Sequence, residues 1–286
     1  MTEFLSPPVP VSRPKAALPP GATDCHAHVL GPFDRFPLAE DHSYTTADQT
    51  ASRYLAMLDE VGFHRGVIVT PSAYGNDNRI TTDALRQGKG RLRGVAVISP
   101  EITDKQLSDM HAAGFRGARF ANFPGYTGTR GFDDLKALAP RLAELNWHAQ
   151  LWAPSAILVD LLDSLIGLGL PLVVDHMGFF ALGGNVDRAN FDRLTRRLAD
   201  GEIWLKLVAY RLSQQYPDYP DIAPFHRALT AANPDQLVWG SDWPHVRMTK
   251  GMPDVGHLVD LFDAWVHDDS LRRRIFTDNP QRLYGF

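Results

Sequence analysis

Eight short apolar runs, separated by amphipathic stretches, restrict the fold of this chain more than any other feature. They are ATDCHAHV (22–29), GVIVT (66–70), LRGVAVI (92–98), RGARF (116–120), HAQLW (148–152), LPLVVD (170–175), IWLKLVA (203–209) and QLVWGS (236–241). Val, Ile and Leu crowd these runs with little polar alternation, as in parallel strands covered on both faces. Between them, ASRYLAMLDEVG (51–62) sets Tyr54, Leu55, Leu58 and Val61 on one helical face and stops at a glycine. DDLKALAPRLAELN (133–146) and ANFDRLTRRLADG (189–201) behave alike, with Asp134 and Asn190 as the expected N-caps. Strand–helix alternation repeated eight times predicts an α/β fold, a (β/α)8 TIM barrel. A doubly wound open sheet is the other arrangement, but no G-x-G-x-x-G follows the first strand.

The 286 residues divide into a Pro-rich N-terminal arm (1–21) and a single barrel catalytic domain (22–286). The arm, MTEFLSPPVPVSRPKAALPPG, lacks a signal-peptide apolar core. It is expected to lie extended on the surface or on a neighbouring subunit, a route to a homo-oligomer. Twenty-nine Lys and Arg against 33 Asp and Glu give a net charge of −4, which argues against nucleic acid as a partner. No apolar run is long enough to span a membrane. The single cysteine, Cys25, cannot pair within the chain, so a reducing, cytoplasmic setting is expected. By strand alternation Cys25 should point away from His26 and His28, as a buried inert thiol.

In a barrel of this kind, chemistry belongs at the C-terminal ends of the strands. There the sequence places His26 and His28, one residue apart and so on one face of the first strand. Ser72 follows the second strand, Arg119 ends the fourth, His176 closes the sixth and Asp242 the eighth, with Arg211 just beyond the seventh. Three histidines and an aspartate converging on one mouth make a site. Asp175 is expected to pack behind the barrel wall, His245 to sit at the rim, and Trp152 to form an apolar wall.

H-x-H on the first strand, DHMG after the sixth, SDWPH after the eighth and the closing DNPQRLYGF resemble the amidohydrolase superfamily, in its amidohydrolase-related (amidohydrolase 2) branch, from about Ala22 to Phe286. The resemblance implies a hydrolase of carboxylated lactones, such as 2-pyrone-4,6-dicarboxylate or a muconolactone, in aromatic compound catabolism. It implies Asp242 as general base and His26, His28 and His176 as N–H donors that polarise the carbonyl. Arg119 and Arg211 suit the substrate carboxylates. Ser72 and Tyr44 match carboxylate-binding positions of the branch's lactonases, and Asn78 orients a loop or touches substrate. The sequence departs from those lactonases after Arg119, where FANFPGYTGTR offers only Arg130, and at Trp152, where a tyrosine is expected.

Typical zinc amidohydrolases add a Lys, Glu or His ligand from the fourth or fifth strand. Here those strands offer Arg119, which cannot ligate a metal, and Gln150, while His148 starts its strand at the far end of the barrel. A metal-independent lactonase without cofactor is the expectation. Zinc held by His26, His28 and Asp242, in a hydrolase or decarboxylase, is the alternative. A non-catalytic binding barrel is the third reading.

Overall fold

The computed structural model describes residues 8–44, 46–123, 127–182 and 184–286. Eight parallel strands lie in chain order: β1 Thr23–Ala27, β2 Arg65–Val69, β3 Leu92–Ala96, β4 Phe115–Ala121, β5 His148–Trp152, β6 Leu172–Val174, β7 Trp204–Leu207 and β8 Leu237–Trp239. Helices alternate with them and cover the outside, so the strands are buried on both faces, as their unbroken apolar runs require. The expected (β/α)8 barrel is what the chain forms.

The seam between β8 and β1 closes through the segment after β8. Asp242 N–H donates to the His26 carbonyl (2.8 Å) and His28 N–H to that of Trp243 (2.7 Å). Backbones approach closely here: a Cβ on Gly240 would sit 2.7 Å from that of His26. Asp24 reinforces the seam, accepting from Ser241 N–H (2.8 Å), Ser241 O–H (2.6 Å) and Tyr54 O–H (3.1 Å).

Helix boundaries follow local chemistry. Ala51–Val61 stops at Gly62, whose φ of 99° is left-handed, as expected. The two expected N-caps are displaced. Asp134 lies inside the first turn of Phe132–Glu144, which Gly131 precedes. For Arg188–Ala199 the cap is Asp187, which accepts from the Asn190 N–H (3.1 Å). A cap must be non-helical itself, and Asn190 is already helical.

Residues 1–7 of the arm lie outside the described residues; the rest runs along this chain's own barrel. Ser12 donates to Asp254, and Arg272 to the carbonyls of Ala16 and Ala17. Val9, Val11 and Leu18 pack against the core. Among the described residues no helix is long and apolar enough to cross a membrane.

Candidate active site

The first strand carries a bulge that the alternation rule did not foresee. Asp24 is opposite Gly66, yet Ala27 is opposite Ile68, so β1 has one residue more than β2. Cys25 therefore does not face away from the histidines. It packs inside the barrel with Val67, Val69, Val95, Val173, Trp204 and Val238, while His26 also turns inward to meet Asp175 and Lys206. Burial pushes the Cys25 thiol well above its ordinary value, in keeping with an inert thiol.

Two imidazole nitrogens and a carboxylate oxygen converge above this interior. His26 Nε2 lies 3.3 Å from His28 Nε2, and Asp242 Oδ1 lies 3.7 and 3.6 Å from them respectively. The other Asp242 oxygen accepts from Tyr210 O–H (2.7 Å) and Arg211 Nε–H (2.6 Å). Burial alone would raise the Asp242 carboxyl; Arg211, then the three imidazoles, outweigh it and hold it well below the carboxylate range. Burial lowers His28 and His176 to about 4, so both rings are neutral at pH 7.

The tautomer of His28 follows from its surroundings. Its Nδ1 is 2.8 Å from the Val69 carbonyl, which can only accept, so Nδ1 carries the proton. The neutral ring therefore presents a bare Nε2 to Asp242 and His26. His28 is an acceptor there, not the N–H donor expected from the sequence. His176 suits that donor role better: its Nδ1 is buried without a hydrogen-bond partner, and the ring borders the cavity. Its backbone, like that of Asp242, is left-handed (φ 47° and 56°), and such strain in non-glycine residues gathers at functional positions.

Asp175 does not pack behind the wall. It is fully enclosed inside the barrel, with Oδ2 accepting from Gln150 Nε2–H (2.9 Å) and 3.2 Å from Arg119 Nε. Oδ1 lies 3.3 Å from His26 Nδ1 and 3.7 Å from Lys206 Nζ. Strand β6 ends at Val174, which leaves Asp175 facing the same interior as Val173.

The cavity has a volume of about 80 Å3, enough for several waters. His28, His176, Asp242, Arg119, Arg211, Ser72 and Tyr44 all border it. Trp152 is its apolar wall, stacked on Phe123 and covered by the Arg119 guanidinium 4.3 Å from the ring centre. His26 lies one layer deeper. Asn78 is elsewhere: it bonds Thr70 and both backbone groups of Val97, tying β2 to β3 beside a wider outer groove that contains none of the imidazoles. Arg130 is directed to Asn76, not the cavity, and residues 124–126 of its segment lie outside the described residues. His245 is wholly buried, not at the rim, and stands behind Asp242 with Nδ1 3.0 Å from the Tyr210 oxygen.

Tyr210, Lys206 and Gln150 were not foreseen as site residues. For Lys206 a signal existed: a lysine in the middle of IWLKLVA must be buried, and buried lysines need partners. Tyr210 had none, because nothing in VAYRL sets it apart from a packing tyrosine.

The Amidohydrolase family model matches residues 23–286. A 2-pyrone-4,6-dicarboxylate hydrolase of Comamonas testosteroni is 35% identical over 96% of this chain and 93% of its own length. A 4-sulfomuconolactone hydrolase of Rhizobium radiobacter is 37% identical over 94% and 91%. A crystal structure from Acinetobacter baumannii, described as a probable 2-pyrone-4,6-dicarboxylic acid hydrolase with citric acid bound, superposes with a TM-score of 0.81 at 26% identity, covering 93% of this chain and all of that one.

Proposed function

Since this chain belongs to the amidohydrolase family, we propose that it opens a small carboxylated lactone with water, without a metal. The observation that carries this reading is the triangle of His26 Nε2, His28 Nε2 and Asp242 Oδ1 beside a cavity bordered by Arg119 and Arg211. A water beside that triangle donates one proton to Asp242 Oδ1 and turns a lone pair to the ester carbon. Asp242 Oδ1 takes one proton as the C–O bond forms. His176 Nδ1–H and the Arg119 guanidinium stabilise the developing oxyanion. The tetrahedral centre then collapses, the ring C–O bond breaks, and protonated Asp242 returns its proton to the leaving oxygen. Arg119, Arg211, Ser72 and Tyr44 hold the substrate carboxylates. Relatives that act on a pyrone dicarboxylate and a sulfomuconolactone, and one with citrate bound, support an anionic small-molecule substrate.

The same triangle favours a second reading. Separations of 3.3–3.7 Å suit ligands of a tetrahedral divalent ion, which for zinc bonds of about 2.0–2.1 Å lie roughly 3.3 Å apart. His26, His28 and Asp242 would hold it, and when bound it would supply Lewis acidity to water or carbonyl. Against this stand Lys206, 3.4 Å from His26, and Arg211, 2.6 Å from Asp242.

The test is turnover of pyrone dicarboxylate and muconolactones, followed by ultraviolet absorbance, with and without chelator. Turnover that survives chelation supports the metal-free reading. Chelator-sensitive turnover with stoichiometric zinc supports the second. Absence of turnover on every carboxylated lactone rejects both. A cytoplasmic setting and association through the arm complete the proposal; sizing the chain with and without residues 1–21 tests the latter.

A further inference from the structure

Lys206 is wholly enclosed inside the barrel, an uncommon place for an ammonium. It projects from the middle of β7 beneath the triangle. Its Nζ donates to Gln150 Oε1 (2.7 Å), lies 3.4 Å from His26 Nδ1 in hydrogen-bonding geometry, and is 3.7 Å from Asp175 Oδ1. A lysine ammonium has N–H donors and nothing to accept with; Gln150 Oε1 and His26 Nδ1 accept from it, and the Asp175 carboxylate lies within ion-pair distance. His26 Nδ1 thus has two candidate partners, one a donor and one an acceptor. Asp175 Oδ1, 3.3 Å away, attracts an Nδ1 proton by its charge but lies off the hydrogen-bond axis of the ring, so it competes with Lys206 without an aligned bond. Lys206 has the aligned contact.

We propose that Lys206 is a positioning residue that fixes the tautomer of His26 and thereby disfavours a metal ion at the site. With Nδ1 accepting from Lys206, the neutral His26 ring carries its proton on Nε2 and donates it to the bare Nε2 of His28. His28 in turn donates from Nδ1 to the Val69 carbonyl. The result is one directed chain of hydrogen bonds, Lys206 to His26 to His28 to Val69, in which each donor meets an acceptor. A metal ligated by His26 Nε2 would require that atom bare and the proton on Nδ1, facing the Lys206 N–H groups. Gln150, on the strand that usually adds a ligand, holds Lys206 instead through its carbonyl oxygen. The inference rests on the metal-independent reading above and gives it a cause.

Two measurements test it on the full chain. In 15N-histidine-labelled protein, long-range proton–nitrogen spectra report each tautomer, with His26 assigned by the loss of its signal in His26→Gln. The expected result is Nε2–H for His26 and Nδ1–H for His28; Nδ1–H on His26 in metal-free protein overturns the inference and leaves the reading of function intact. Zinc titration then compares the chain with Lys206→Met and Lys206→Gln. Removal of the cation should tighten zinc binding about tenfold or more, with His26 moving to Nδ1–H. Unchanged affinity in a folded variant overturns the inference. Stoichiometric zinc in the unaltered protein overturns both it and the metal-independent reading.

Discussion

Ser241 is tied to Asp24 twice, its N–H to Oδ1 at 2.8 Å and its hydroxyl to Oδ2 at 2.6 Å, across the seam where the barrel closes. Both residues flank chemistry without joining it: His26 and Asp242 come two and one positions later. Asp24→Ala leaves the Ser241 and Tyr54 donors buried without a partner, at about 1–3 kcal/mol for each group. A stability loss of at least about 3 kcal/mol in urea unfolding is expected. An unchanged midpoint would show that the seam is held by other means.

Asp242 has two supports on one oxygen and its chemistry on the other. Asp242→Asn should lower kcat by roughly 10²–10⁴, the range for loss of a general base. Tyr210→Phe removes one of the two supports while Arg211 retains the other, so a loss near tenfold is expected, about the value of one hydrogen bond. Steady-state kinetics on the substrate found by screening decide both. Equal losses in the two variants would mean that Tyr210 does more than orient the carboxylate.

Arg119 lies with its guanidinium 4.3 Å from the centre of the Trp152 ring and Nε 3.2 Å from Asp175, and it borders the cavity. Arg119→Lys keeps the charge but loses the planar fork. KM should rise about tenfold or more, with a smaller fall in kcat. A fall in kcat alone would move Arg119 from substrate binding to oxyanion stabilisation only.

Acid should destabilise the fold through imidazoles outside the site. Burial lowers His226, packed against Phe262 and Trp265, to about 3, and burial then Lys206 lower His148 to about 3. Between pH 6.5 and 3 the unfolded chain binds more protons at these groups than the folded one. Their contribution is therefore intact above pH 6.5 and is lost as pH falls through that window. Asp24 acts oppositely: burial raises it to about 6, so between pH 3.8 and 6 the folded state holds the extra proton and acid favours it. With two imidazoles against one carboxyl, and each pKa unit equal to about 1.4 kcal/mol, the net is a fall in unfolding free energy on acidification from pH 7 to 4. His226→Phe should flatten that slope in denaturant titrations; an equally steep slope would exclude His226 as a contributor.

What the sequence determined by itself was the list of parts and their layer. Unbroken apolar runs announced eight strands covered on both faces, because only such strands tolerate Val, Ile and Leu without alternation. The strand-end rule then selected His26, His28, His176, Asp242 and Arg119 without coordinates, since a barrel brings all strand ends to one mouth. Tertiary structure decided how those parts face one another. A one-residue bulge in β1 put Cys25 and His26 on the same side, and one residue of register is enough to reverse a face. Asp175 became an interior hub instead of a wall residue, and Asn78 ties the ends of β2 and β3 together. The roles of Lys206 and Tyr210 depend on single atoms meeting across the barrel from residues far apart in the chain, at 3.4 Å from His26 and 2.7 Å from Asp242. Hydrogen bonding acts over such distances alone, and local sequence pattern carries no record of which distant atom will arrive.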